Sequence, residues 1–117
     1  MKRNPRQGDI FVLALDPTLG TEIQGHRPVL VLSNAETNLQ GRALVAPITQ
    51  GGNFDRVRGW ATSLLGAGTA TQGAAIISQA RFLDYRSRRA KFVESASVEV
   101  IADAMARLQA ALDAEPA

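Results

Sequence analysis

Ile10-Phe11-Val12-Leu13-Ala14-Leu15 is an unbroken run of six apolar residues that ends at Asp16-Pro17-Thr18. The tripeptide is a turn signal, so the run reads as a strand, and its near-continuous apolarity predicts burial on both faces. Working outward, a glycine-punctuated polar loop runs from Leu19 to Arg27, and Val29-Leu30-Val31-Leu32 forms the second strand. Pro28 stands at the mouth of that strand, where a missing N–H costs least. Ala43-Leu44-Val45-Ala46 is the third strand, stopped by Pro47. A loop from Gln50 to Arg56 leads to a short strand near Trp60-Ala61-Thr62-Ser63, and Gly66-Ala67-Gly68 makes a flexible connection. A further strand begins at Ala74-Ala75-Ile76-Ile77-Ser78, with Arg81 or Phe82 as its farthest end, and a last short one lies at Lys91-Phe92-Val93. Short apolar runs separated by Gly, Pro, Asn and Asp are the pattern of a small all-β sheet or barrel.

The period then changes. Val98, Ile101, Met105, Leu108 and Leu112 recur every three or four residues, the apolar stripe of a helix. Ser97 is a suitable N-cap, and Glu99 and Asp103 near the start suit the helix dipole. The stripe reads as core packing or a dimer face, and Trp60 as core or dimer interface. No repeat or low-complexity linker divides the chain, so one domain spanning residues 1–117 is expected, mainly β with a C-terminal amphipathic helix.

Composition removes many functions. With 117 residues and 45% hydrophobic content the chain can bury one core, and no apolar run is long enough for a membrane helix. The basic start, Met1 to Arg6, is followed by polar Gln7, Gly8 and Asp9 instead of an apolar export segment, which predicts a cytoplasmic protein. Cysteine is absent and histidine occurs once, so disulfides, thiolate nucleophiles and zinc sites are not expected. Neither Gly51-Gly52 nor Gly66-Ala67-Gly68 leads into Lys-Ser/Thr, so no nucleotide cofactor is expected.

The net charge is only +2, but it is segregated. Thr37 to Val93 holds eight basic and two acidic residues, whereas Glu94 to the end holds five acidic residues against Arg107. A basic region of this kind suits a polyanion partner. A solvated arginine-rich surface gives the same pattern, and charge alone does not choose between them. Arg86, Arg88 and Arg89 fit either description.

What remains for chemistry is arginines, hydroxyls, amides and one loop carboxylate, Glu22. RNA cleavage is a reaction such a set supports without a metal, because the 2′-OH already is the nucleophile. The protein must align it, stabilise charge on the phosphorane and move two protons. Arginine suits the second task, since its planar fork donates to two phosphate oxygens at once, and a threonine hydroxyl adds another donor.

Specific motifs narrow this permissive argument. Gly8-Asp9-Ile10, then Leu15-Asp16-Pro17-Thr18-x-Gly20-x-Glu22-x-x-Gly25-x-Arg27-Pro28 running into Val29 to Ser33, and Ala46-Pro47-Ile48-Thr49-Gln50-Gly51-Gly52-Asn53-Phe54 resemble the MazF/PemK family of toxin endoribonucleases. Val45 to Phe54 is most similar to its ChpB and Kid branch, and the similarity extends through the C-terminal helix. The resemblance implies a compact SH3-like β-barrel acting as a homodimer. It implies metal-independent, sequence-specific cleavage of single-stranded RNA, leaving a cyclic phosphate and a 5′-hydroxyl, and a small antitoxin that blocks the enzyme. By motif position, Arg27 stabilises the transition state, Thr49 sits beside the scissile phosphate, and Glu22 assists proton transfer or positions the RNA. Thr21, Gln24, His26, Gln50, Asn53, Phe54, Arg56, Ser78, Gln79 and Arg81 are the expected RNA-contacting residues. Phe54 and Arg56 suit stacking on unpaired bases and phosphate contact.

Three positions depart from the family pattern. Kid-like members carry an arginine and an aspartate, assigned to acid–base work, where Ile76 and Ser78 stand here, and Kid-like and ChpB-like members often carry a histidine where Thr21 stands. ChpB-like members also lack the first pair. The proton-transfer step is thus left to Glu22, His26 or the RNA itself. Two alternatives follow: a degenerate member that binds RNA or antitoxin without cutting, and a CcdB-like gyrase poison. The latter type acts through C-terminal residues, typically Trp-Gly-Ile, whereas this chain reads Asp113-Ala114-Glu115-Pro116-Ala117 there.

Overall fold

The computed structural model describes residues 3–16, 20, 22–50 and 59–116. The chain forms β1 (Asp9–Ala14), β2 (His26–Val31), α1 (Ala35–Asn38), β3 (Ala43–Thr49), β4 (Ala61–Ser63), β5 (Ala74–Ile76), a 3-10 turn at Ile77–Gln79, β6 (Arg81–Leu83), β7 (Lys91–Ser95) and α2 (Val98–Leu112). All pairings are antiparallel, in the order β4-β5-β3-β2-β1-β7, with β6 also on β3. The mainly β architecture with a C-terminal helix is the one expected.

The apolar β1 run is explained by two cores, one on each side of the sheet. Ile10, Leu30, Ala46 and Ile48 pack with Leu64, Ile77 and α2 residues Val100 and Ala104. Phe11, Leu13, Val29, Val31 and Val45 pack with Leu83 and Tyr85. Successive residues of a strand point to opposite faces, so a strand serving both cores has no polar position to alternate.

Both prolines lie inside strands, contrary to the sequence reading. β2 starts at His26, so Pro28 is its third residue, opposite Val12 of β1. The ladder between β2 and β3 begins only at Val29, so Pro28 has no β3 partner. β3 likewise continues through Pro47 to Thr49. Pro47 stands opposite Val29 of β2, but on its other side pairing with β6 ends at Val45 and pairing with β5 begins at Ile48, so there it falls in the gap between two partners. Each proline thus has a partner strand on one side only, and a missing N–H is tolerated on the side that no ladder claims. The expected strand from Ala74 towards Phe82 is also divided: the 3-10 turn separates β5 from β6, and both halves return to β3.

Ser97 caps α2 as expected, its hydroxyl accepting from Val100 N–H. The buried stripe is rotated from the expected one, however: Val100 and Ala104 are buried and Leu108 packs beside them, while Val98 and Leu112 are exposed. Ala104 is small enough to bring the helix axis close to the sheet, and the larger end residues project past it. Ile101 lies over Gly8, whose φ is +92° and where a Cβ would stand 2.3 Å from Ile101 Cδ1. Trp60 is 46% exposed and so is not core. Short α1 was not anticipated; the Asn34 side chain caps it by accepting from Thr37 N–H.

Candidate nucleic-acid cleavage site

An open groove of about 620 Å³ runs between two loop walls. One wall is the segment from Gln24 to Pro28, which enters β2. The other is Ala70, Thr71 and Gln72, which leads into β5. Thr49 and Gln50 border the groove where β3 ends, and Val12, Ile48 and Val93 supply apolar surface. Arg27, Thr49, Gln24, His26 and Gln50, separated by up to 26 positions in sequence, thus meet at one depression.

Arg27 lies on β2 opposite Leu13, and its Nε donates to the Gln24 carbonyl at 2.8 Å. That bond fixes the guanidinium against the loop, and its terminal nitrogens make no hydrogen bond among the described residues. A guanidinium held by one edge keeps two donors for an anion. His26 is exposed at the start of β2, opposite Ala14. Thr49 is the last residue of β3 and pairs with Ala74. Its carbonyl is approached so closely by Gly73 that a Cβ there would stand 2.1 Å from the oxygen, and Gly73 has φ +112°. Only glycine fits both demands.

Glu22, Gln79 and Arg81 form a separate cluster that does not line the groove. Ile23 N–H donates to Gln79 Oε1 at 2.8 Å, and Arg81 Nη2 donates to the Ile23 carbonyl at 2.9 Å. Arg81 Nη1 lies 3.9 Å from Glu22 Oε2, whose side chain is half exposed. Gln79 and Arg81, expected to touch RNA, hold the backbone that leads into the first wall. Ser78 is exposed in the 3-10 turn and does not line the groove either, and Ile76 is buried in β5 at 2% exposure. Neither supplies a proton carrier to the groove. Thr21, Asn53, Phe54 and Arg56 lie outside the described residues.

The second wall, just past the Gly66-Ala67-Gly68 connection, carries no motif in the sequence. It is held by Glu94 of β7. Ala70 N–H donates to Oε1 at 3.0 Å, while Thr71 N–H and Thr71 Oγ1 donate to Oε2 at 2.8 and 2.7 Å. These bonds, led by the Thr71 hydroxyl, hold the Glu94 carboxyl below the ordinary glutamate range, against a smaller opposing effect of burial. Among the described residues, no group of three or more His, Asp or Glu side chains comes together, and no helix is long and apolar enough to cross a membrane.

The fold is a small antiparallel β sheet with a groove bordered by an arginine, a threonine hydroxyl and amide side chains, groups able to donate to phosphate oxygens. Residues 6–112 match the family described as the PemK-like, MazF-like toxin of type II toxin–antitoxin systems. The chain is 43% identical over 108 residues to the endoribonuclease toxin ChpB of Escherichia coli K12, covering 92% of this chain and 93% of that protein. It superposes on the crystal structure of MazF from Deinococcus radiodurans with a TM-score of 0.85 at 30% identity, covering 95% and 98% of the two chains. The MazF chain of a MazE–MazF complex from the same organism matches at 0.78 and 30% identity, covering 95% and 97%. The chain belongs to the PemK-like, MazF-like toxin family of type II toxin–antitoxin systems.

Proposed function

We propose that this chain is a single-domain toxin endoribonuclease that cuts single-stranded RNA at short sequences without a metal ion, and that an antitoxin protein restrains it. The observation that carries the reading is the meeting of Arg27, Thr49, His26, Gln24 and Gln50 along one open groove. Family membership supports the toxin activity, and the likeness to MazF solved with MazE supports a protein inhibitor.

In the proposed reaction the 2′-oxygen of one nucleotide attacks its own 3′-phosphorus. The 2′-OH gives up a proton, the P–O5′ bond breaks, and the departing 5′-oxygen takes up a proton. The products are a 2′,3′-cyclic phosphate and a 5′-hydroxyl. Arg27 supplies donors to the oxygens that gain charge in the phosphorane, and Thr49 Oγ1 adds another. His26 and Glu22 are the side chains assigned to the proton steps, His26 from the groove itself and Glu22 beside it. Gln24 and Gln50 contact the RNA along the groove, with Thr21, Asn53, Phe54 and Arg56 extending the contact surface. The working unit is a homodimer.

The test is to incubate the purified protein with a long unstructured RNA in EDTA and map the new ends. New 5′-hydroxyl and cyclic-phosphate ends at a recurrent short sequence support the reading. The buried Ile76 and the outlying Ser78 favour one second reading, a toxin relative that binds RNA without cutting it. That reading gives a gel shift and no new ends.

A further inference from the structure

Glu94 contributes no lining to the groove, yet its carboxylate receives three hydrogen bonds from the segment that lines it together with Gln24, Gly25 and His26. Its own position is fixed, because β7 pairs with β1 and Glu94 stands opposite Ile10 of the buried core. The wall is tied at its other end as well, where Gly73 abuts the Thr49 carbonyl and accepts from Leu64 N–H through its own carbonyl at 2.9 Å. Between these anchors lie Ala70, Thr71 and Gln72, three consecutive groove-lining residues. Thr69 Oγ1 further donates to the Thr71 carbonyl at 2.6 Å. Ala70, Thr71 and Gln72 belong to no strand or helix, so outside the anchors nothing regular orders them.

We propose that Glu94 is a positioning residue for substrate binding: its carboxylate holds Ala70 and Thr71 as a preformed groove wall, so that single-stranded RNA meets an ordered surface. The inference rests on the groove being the RNA site. Glu94 touches neither the RNA nor the reacting atoms. It acts through Ala70, Thr71 and Gln72 by removing the ordering cost that binding would otherwise carry. Fixing even one or two backbone residues at the moment of binding weakens affinity about tenfold or more. A wall that orders only on binding therefore raises KM and leaves kcat nearly untouched, since Arg27 and Thr49 stand on β2 and β3, outside it.

The experiment compares the full chain with its Glu94→Ala and Glu94→Gln variants, using a short single-stranded RNA oligonucleotide that contains the cleavage sequence. Steady-state kinetics give KM and kcat, and hydrogen exchange reads the amides of Ala70 and Thr71. The expected result for Glu94→Ala is faster exchange at both amides, KM raised about tenfold or more and kcat changed less than about twofold. Glu94→Gln keeps one carbonyl acceptor and should fall between the wild type and the alanine variant. It also serves if Glu94→Ala fails to fold. Faster exchange with unchanged KM overturns the proposal, as does a kcat loss that matches the KM change or exchange that stays slow in both variants. A wild type that cuts no RNA counts against the functional reading instead, because amide exchange reports the hold of Glu94 on the wall whether or not RNA is cut.

Discussion

On one side of the groove the chain around Ile23 hangs from the amide of Gln79 and the guanidinium of Arg81, whereas on the other side Ala70 and Thr71 hang from the carboxylate of Glu94. Both stretches are irregular, the first leading into the wall that enters β2 and the second forming the other wall, and in each backbone groups are satisfied by side chains from distant strands or turns, as exposed irregular backbone requires if it is to stay in one shape. The anchors differ in chemistry. The bonds to Ile23 involve an amide and a guanidinium, and the bonds to Ala70 and Thr71 end on a carboxylate. The anchors also differ in reach, for the second wall is additionally pinned by the contact of Gly73 with Thr49, next to the proposed catalytic hydroxyl.

The largest effect short of the chemistry itself is expected at that pin. Gly73→Ala places a methyl 2.1 Å from the Thr49 carbonyl oxygen in a backbone conformation that alanine resists. A stability loss on the order of 3 kcal/mol is expected in urea unfolding, along with a shift of Thr49. If Gly73→Ala unfolds at the wild-type midpoint, the close approach does not hold the wall.

Arg81→Ala tests the first wall. It removes the bond to the Ile23 carbonyl and the ion pair with Glu22, but it also removes Arg81 Nε, a buried donor without a hydrogen-bond partner among the described residues. The two effects oppose each other, so the net loss should be about 1 kcal/mol. Faster amide exchange is expected at Ile23 and unchanged exchange at Thr71. Equal loosening of both walls would show that they are one cooperative unit.

Acid should separate the walls with the smallest perturbation. The folded Glu94 carboxyl lies below its ordinary value, so its stabilisation is complete above the unfolded value and is lost as pH falls through the folded one. Lowering the pH below about 4.5 should speed exchange at Ala70 and Thr71, relative to the intrinsic rate, before it does so at Ile23. Simultaneous loss at all three amides would instead point to a global acid transition.

The same contrast explains how much of the molecule could be read from its sequence. Burial of β1 on both faces and the start of α2 at Ser97 are local facts, written in consecutive residues. The prolines misled because the cost of a missing N–H depends on whether a partner strand claims it, and the gaps beside Pro28 and Pro47 are set by register. Arg27 and Thr49 were legible through short motifs, and they do line one groove. The bonds of Gln79 and Arg81 to Ile23 were not legible, because Ile23 lies 56 and 58 positions away in sequence. Glu94 was missed for a like reason, being 23 and 24 positions from Thr71 and Ala70.

The central claim is that the groove joining Arg27 and Thr49 cuts RNA without a metal ion. Single-turnover cleavage of an RNA oligonucleotide in EDTA tests it most directly, with wild type, Arg27→Ala and Thr49→Ala compared at saturating protein. The account predicts efficient cutting by the wild type and a rate about 10²–10³-fold lower in each variant, with all three folded alike. Undiminished cleavage by both variants would contradict it.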